Sequence, residues 1–166
     1  MNRRMAVWKR GNNTMRNDHV AVLFPMVAGS IAVLCTILIH SVALGISVRF
    51  FRRERMLGLV GSRVWVNLGI FVLTMSLAFA AHLIEIALWA ALFVICGEFK
   101  SFELAFYHSA VNYTTLGYGD LIMTPSWKLL GPLEAADGAL MFGVSTAMIF
   151  AIAQRLMRAK FSDLDG

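Results

Sequence analysis

Thr114-Thr115-Leu116-Gly117-Tyr118-Gly119-Asp120 sets two glycines one residue apart, and what flanks this stretch decides the fold. Residues 101–113 just before it read as a short helix: Ser101 is an N-cap, Glu103 sits in the first turn, and neither Pro nor Gly interrupts the run. At 1.5 Å per residue that helix reaches only about 20 Å, too short to cross a hydrocarbon core about 30 Å thick. Long apolar runs lie on both sides. Extended, glycine-bearing chain at membrane depth is tolerated only where it is buried in protein or lines a watery cavity, so the segment is expected to be a re-entrant loop.

The chain has 166 residues, 58% of them hydrophobic and 15% charged, whereas a soluble domain carries about a quarter charged residues. Three stretches are long and apolar enough to span: 20–48, interrupted only by His40; 64–97, interrupted by His82 and Glu85; and 127–155, if Glu134 and Asp137 are tolerated in its first turns. The expected fold is an all-α membrane protein with three transmembrane helices plus a re-entrant pore helix, 101–113, and the loop 114–120. Residues 1–19 form a basic tail, and the span that follows is too long to be the apolar region of a secretory leader. Cys35 and Cys96 fall within or beside apolar spans, where small buried side chains are a more economical reading than a disulfide or a metal site.

The formal charge of +5 does not point to nucleic acid, because the basic residues cluster beside the spans. Arg49, Arg52, Arg53, Arg55 and Arg63 mark 49–63 as a cytoplasmic loop, and Arg155, Arg158 and Lys160 place the tail 156–166 on the same side. The loop holding Lys100 and Lys128 then lies outside. Three crossings would put the N-terminus outside as well, against its own Arg3, Arg4, Lys9, Arg10 and Arg16. The positive-inside rule is therefore violated at one end.

Thr115-Leu116-Gly117-Tyr118-Gly119 closely resembles the signature of potassium channels, and the likeness extends from about Phe99 to Gln154. The chain is similar to the small prokaryotic members of that superfamily with one pore loop per chain, whose pore is related to that of two-pore-domain channels. The resemblance implies a potassium-channel pore fold in a cell membrane, crossed several times. It implies a homotetramer, since one chain supplies one of four filter strands, and passive K⁺ conduction with no enzyme activity and no cofactor beyond the permeant ion. Carbonyls of Thr115, Leu116, Gly117 and Tyr118, with the Thr115 hydroxyl, would replace the hydration shell of K⁺. Gly117 and Gly119 can take positive φ at little cost, while Leu116 and Tyr118 would face away into supporting protein. Leu116 stands where the family most often has Val. Thr114, Asp120, Tyr107 and Tyr113 are the candidate supports of the filter, and the C-terminal end of the pore helix would favour a cation.

By the same resemblance the last span lines the inner pore, with Gly138, Met141, Ser145 and Met148 on one arc and Gly138 at the position of a hinge. Close helix packing at Gly138 is the competing reading. Glu134 and Asp137 should face protein or water rather than lipid. His82 and Glu85, three apart, share a face. Counting rise from the cytoplasmic span ends, Val48 and Val64, puts His40 about 12 Å and His82 about 27 Å deep, so the two histidines are not expected to meet without an offset between the helices.

No span carries a periodic arginine ladder, and 156–166 is too short for a ligand-sensing domain; lipid, self and a regulatory partner of unknown kind are the expected associations. Two other readings stay open. One is a non-selective cation channel, hinted at by Leu116. The other is a non-conducting accessory subunit or metal-binding membrane protein built on His40, His82 and Glu85.

Overall fold

The computed structural model describes residues 3–57 and 64–162, with side chains described over 22–57 and 64–158. Four helices follow in order: α1 (Arg3–Met56), α2 (Val64–Ile95), α3 (Phe102–Tyr113) and α4 (Leu130–Ser162). Three stretches, Val22–Met56, Val64–Ile95 and Leu130–Arg158, are long and apolar enough to cross a membrane. Large apolar side chains such as Leu23, Leu34, Leu38, Phe79 and Phe150 stand exposed along them. At this length that is the surface a hydrocarbon solvent requires.

α1 is longer at both ends than the span expected from its apolar run. The tail 1–19 is helical from Arg3 onward, and the stretch 49–56, expected as part of a cytoplasmic loop, continues the helix to Met56. Its sequence shows why: Phe50 and Phe51 sit among the arginines, and Phe51 packs with Ile70 of α2 and Ile152 of α4 in a small core at the basic end. The Arg155 guanidinium lies 5.9 Å over the Phe51 ring, a cation–π contact that fixes α1 to α4. Of the expected loop, residues 58–63 lie outside the described residues. α4 likewise runs through the expected tail as far as Ser162, and begins at Leu130 rather than at Trp127, which lies in a turn.

α2 ends in a glycine cap. Gly97 adopts φ +77, and Gly97 N–H donates to Val94 O while Glu98 N–H donates to Phe93 O, each 3.0 Å. This is the Schellman arrangement, which closes the last carbonyls and reverses the chain. Ser101 then caps α3, its hydroxyl accepting from Leu104 N–H at 3.3 Å.

At twelve residues, α3 spans about 18 Å and sits against α2 and α4. The main core gathers around it: Trp89, Ala90 and Phe93 of α2, Ala105 and Tyr113 of α3, Leu130 and Met141 of α4. Ala90 and Ala105, both fully buried, leave room for the helices to approach closely. The Glu98 carboxylate accepts from Thr124 N–H at 2.7 Å and from the Thr124 hydroxyl at 2.5 Å. That contact fixes the turn before α3 to the loop after it.

Candidate functional site

The glycine-bearing loop begins where α3 ends. Thr114 is the C-cap, its hydroxyl donating to Ala110 O at 2.7 Å. Thr115 N–H donates to Asn112 O at 2.8 Å, and Leu116 and Gly117 N–H both donate to Val111 O, at 2.9 and 3.3 Å. The loop's own amides thus take up terminal carbonyls of α3, which reduces the free negative end that the helix was expected to present. Beyond this point φ is positive at every second residue: Thr115 (+60), Gly117 (+61) and Gly119 (+72), while Leu116 and Tyr118 are not in that region. For glycine such φ values carry no Cβ clash; Thr115 bears that strain.

Leu116 and Tyr118 were expected to face supporting protein. In the single chain they are largely exposed, at 54% and 66%, because no element among the described residues covers that side of the loop. The Tyr107 hydroxyl donates to Asp120 Oδ2 at 2.7 Å, and Asp120 Oδ1 accepts from Leu121 N–H at 3.1 Å. Tyr107 and Asp120 therefore fasten the far end of the loop back onto α3. Because the Asp120 carboxylate accepts its proton in a hydrogen bond, the Tyr107 phenol is held above its ordinary pKa.

Tyr113 acts elsewhere. Its hydroxyl turns into the helix bundle, donating to Glu85 Oε2 and lying 3.1 Å from His82 Nδ1. Around it stands a buried polar cluster drawn from all four helices. His40 Nδ1 of α1 is 2.9 Å from Glu85 Oε1, and His82 Nδ1 is 3.3 Å from Glu85 Oε2. Ser145 Oγ of α4 lies 2.9 Å from His40 Nε2 and 3.0 Å from His82 Nε2. The expectation that His40 and His82 do not meet is overturned: their ring centroids are 5.1 Å apart. Its depth count started at Val48, whereas α1 ends at Met56.

Two further buried carboxyl groups lie nearby. The Thr36 hydroxyl is 2.8 Å and 3.0 Å from the two Asp137 oxygens, and Trp89 Nε1–H donates to Asp137 Oδ2 at 2.9 Å. The Ser109 hydroxyl lies between Ile86 O, at 2.8 Å, and Glu134 Oε1. The other Glu134 oxygen is enclosed without a well-formed hydrogen bond among the described residues. Glu134 and Asp137 thus face protein, as their cost in lipid demands.

These contacts correct the assignment of the pore-lining arc. Gly138, Met141 and Ser145 are buried against the chain's own helices and Met148 is half-buried. Their face of α4 holds polar groups because α1, α2 and α3 supply partners for them. Gly138 packs closely against the end of α3: a Cβ there would lie 2.0 Å from Tyr113 O. The free face of α4 is instead Ala136, Leu140, Gly143, Ala147 and Phe150, spaced four and three apart as one helical stripe requires.

Thr36, Trp89 and Ser109 were missed as members of these networks. Helical spacing points to two of them, since Thr36 precedes His40 by four residues and Trp89 follows Glu85 by four, each continuing a face already marked as polar.

No curated protein and no solved structure matches the chain. Residues 70–155, from the start of the α2 core to the basic end of α4, match the protein-family model described as an ion channel. With its apolar spans and the capped short helix before a glycine-bearing loop, the chain belongs to this ion channel family and is a multi-pass membrane protein.

Proposed function

We propose that the chain is the pore-forming subunit of a K⁺-selective channel, assembled as a homotetramer, with α3 as a re-entrant pore helix and Thr115–Gly119 as the selectivity filter. The observation that carries this reading is the alternation of φ at Thr115, Gly117 and Gly119. Alternate positive and negative φ turns successive carbonyls toward one side of the strand. A ring of such strands replaces the hydration shell of a dehydrated cation with carbonyl oxygens. Asp120, tied to Tyr107, holds the outer end of the strand.

Tetramer formation is supported by what the single chain leaves uncovered. Leu116 and Tyr118 project from the loop with most of their surface left open by the described residues, and a neighbouring subunit covers it. The exposed stripe of α4 through Ala136, Gly143 and Ala147 turns toward the symmetry axis and lines the inner pore, in place of the arc through Gly138 and Ser145. The arginines at 49–55 and at Arg155 and Arg158 lie on the cytoplasmic side of a cell membrane. Conduction is passive, and no enzymatic step is involved.

The test is ion flux into liposomes containing the purified protein, run with K⁺, with Na⁺ in its place, and with Gly117→Ala, together with native mass spectrometry of the assembly. Flux of K⁺ alone, lost in the variant, from a species of four chains is the expected result. Equal flux of both ions overturns selectivity, and a monomeric or dimeric particle overturns the shared pore.

A further inference from the structure

His40, His82 and Glu85 each offer a ligand atom within 4.8 Å of the others, and all three side chains are buried. The geometry is directional. Both Nδ1 atoms face the Glu85 carboxylate, at 2.9 and 3.3 Å, and both Nε2 atoms face the single hydroxyl of Ser145, at 2.9 and 3.0 Å. A serine hydroxyl has one hydrogen and two lone pairs, and a neutral imidazole carries one ring hydrogen. Any neutral assignment that satisfies the Ser145 contacts therefore leaves at least one bare Nδ1 lone pair turned toward a carboxylate. A cation between the two Nδ1 atoms and the carboxylate removes that conflict.

We infer that this centre binds a divalent transition-metal ion of the Zn²⁺ class, with His40 Nδ1, His82 Nδ1 and Glu85 as ligands and the Tyr113 hydroxyl at the fourth corner. Ligands about 2.0–2.1 Å from a tetrahedral ion stand about 3.3 Å from one another. The contacts His40–Glu85 (2.9 Å), His82–Glu85 (3.3 Å) and His82–Tyr113 (3.1 Å) are already close to that spacing. With both rings ligating through Nδ1, both Nε2–H groups point at Ser145 Oγ, whose two lone pairs accept them; a histidine ligand oriented through its second nitrogen is the usual outer arrangement of such a site. Imidazole with carboxylate selects a borderline ion of this kind over K⁺. The ion would join α1 to α2 beside the last residue of α3, and the inference does not rest on the ion selectivity of the pore. A crevice lined by Ser47 and Thr74 reaches His40 and Ser145 but is too narrow to hold a water molecule, so loading is slow and requires the helices to part.

The test uses the full chain in detergent, stripped with chelator, incubated for hours with micromolar Zn²⁺, desalted and assayed for metal, followed by X-ray absorption at the zinc edge. One zinc per chain is expected, with nitrogen and oxygen scatterers and the outer-shell pattern of imidazole. His82→Ala and Glu85→Gln lower the affinity at least tenfold, Ser145→Ala lowers it less, and His108→Asn leaves it unchanged. Substoichiometric zinc in the wild type overturns the inference and leaves a proton as the cation of the cluster. Zinc that survives His82→Ala, or that is lost with His108→Asn, also overturns it. Where a variant does not fold, the wild-type spectrum decides: absence of imidazole scattering overturns the site.

Discussion

His40 Nδ1 on α1 lies 2.9 Å from Glu85 Oε1 on α2, 45 positions along the chain, and both side chains are buried. In lipid the apolar faces of α1 and α2 gain nothing by leaving hydrocarbon for one another, so buried polar contacts and close packing decide their association. Hydrogen bonds between membrane helices average about 0.6 kcal/mol and reach about 1.7. Glu85 is a carboxyl group with several partners, which puts this bond at the upper end. His40→Ala is expected to destabilise the metal-free protein in detergent by about 1–2 kcal/mol. Ser41→Ala, which removes an exposed hydroxyl bonded to its own helix at Ile37 O, changes stability by less than about 0.5 kcal/mol. Thermal unfolding of the two variants checks the pair, and equal shifts would show that the His40 bond contributes nothing specific.

The same contact shows how far the sequence was legible. Spans, the capped short helix and the glycine stretch follow from hydropathy and helix-start chemistry, which act within a few residues. The meeting of His40 with His82 depends on where α1 ends, and there arginine clustering suggested a loop while Phe50 and Phe51 made a packed helix end. Counted from Met56 instead of Val48, His40 lies about 24 Å from the basic end, close to the 27 Å or so of His82 counted from Val64. The face of α4 was misread for a related reason: small and polar residues suit a pore lining and also suit contact with partner side chains on other helices. Only the positions of Thr36, Trp89 and Tyr113 separate the two.

Tyr107 and Asp120 hold the end of the glycine-bearing loop by one exposed hydrogen bond of 2.7 Å. The bond raises the phenol pKa, so it persists through neutral and mildly alkaline solution and is lost only as the pH climbs past the ordinary tyrosine range. Tyr107→Phe removes the donor without altering the ring. Amide hydrogen exchange over residues 114–124 should then be several-fold faster, with residues 102–111 unchanged. An unaltered exchange rate in the loop would mean that the amide bonds to Val111 and Asn112 hold it alone.

His108 gives the protein a sensitivity to acid. Asn112 Nδ2–H donates to its Nε2 at 2.9 Å, and burial between Phe93 and Phe99 disfavours the imidazolium. Burial lowers the His108 pKa below 6.5, with Asp120, Glu98 and the Leu121 backbone opposing the shift in part. The unfolded chain therefore takes up a proton near pH 6.5 that the folded chain refuses. Stability falls as the pH drops through that value toward the lower folded pKa, and above it the term vanishes. His108→Gln, which keeps an acceptor and cannot titrate there, should flatten the thermal stability profile between pH 7 and pH 5 relative to the wild type. A profile as steep as the wild type's would assign the acid response to other groups.

Gly138 makes the sharpest steric claim. A Cβ at this position would stand 2.0 Å from Tyr113 O and 2.9 Å from Tyr113 C, and both are backbone atoms at the end of α3 that no rotamer change can move. Overpacking by a methyl group costs about 1–3 kcal/mol where side chains can shift, and a rigid carbonyl pushes Gly138→Ala to the top of that range or beyond. Gly69→Ala meets nothing within 4 Å and replaces a helical glycine by a better helix former, worth up to about 1 kcal/mol in its favour. The two glycine-to-alanine changes on neighbouring helices should therefore differ in sign. Because Tyr113 immediately precedes Thr114 and the glycine-bearing loop, Gly138→Ala is also expected to abolish ion flux even in molecules that still fold. If Gly138→Ala matches Gly69→Ala in melting temperature and retains flux, α4 does not touch α3 as closely as this contact requires, and the support of the loop from below lies elsewhere.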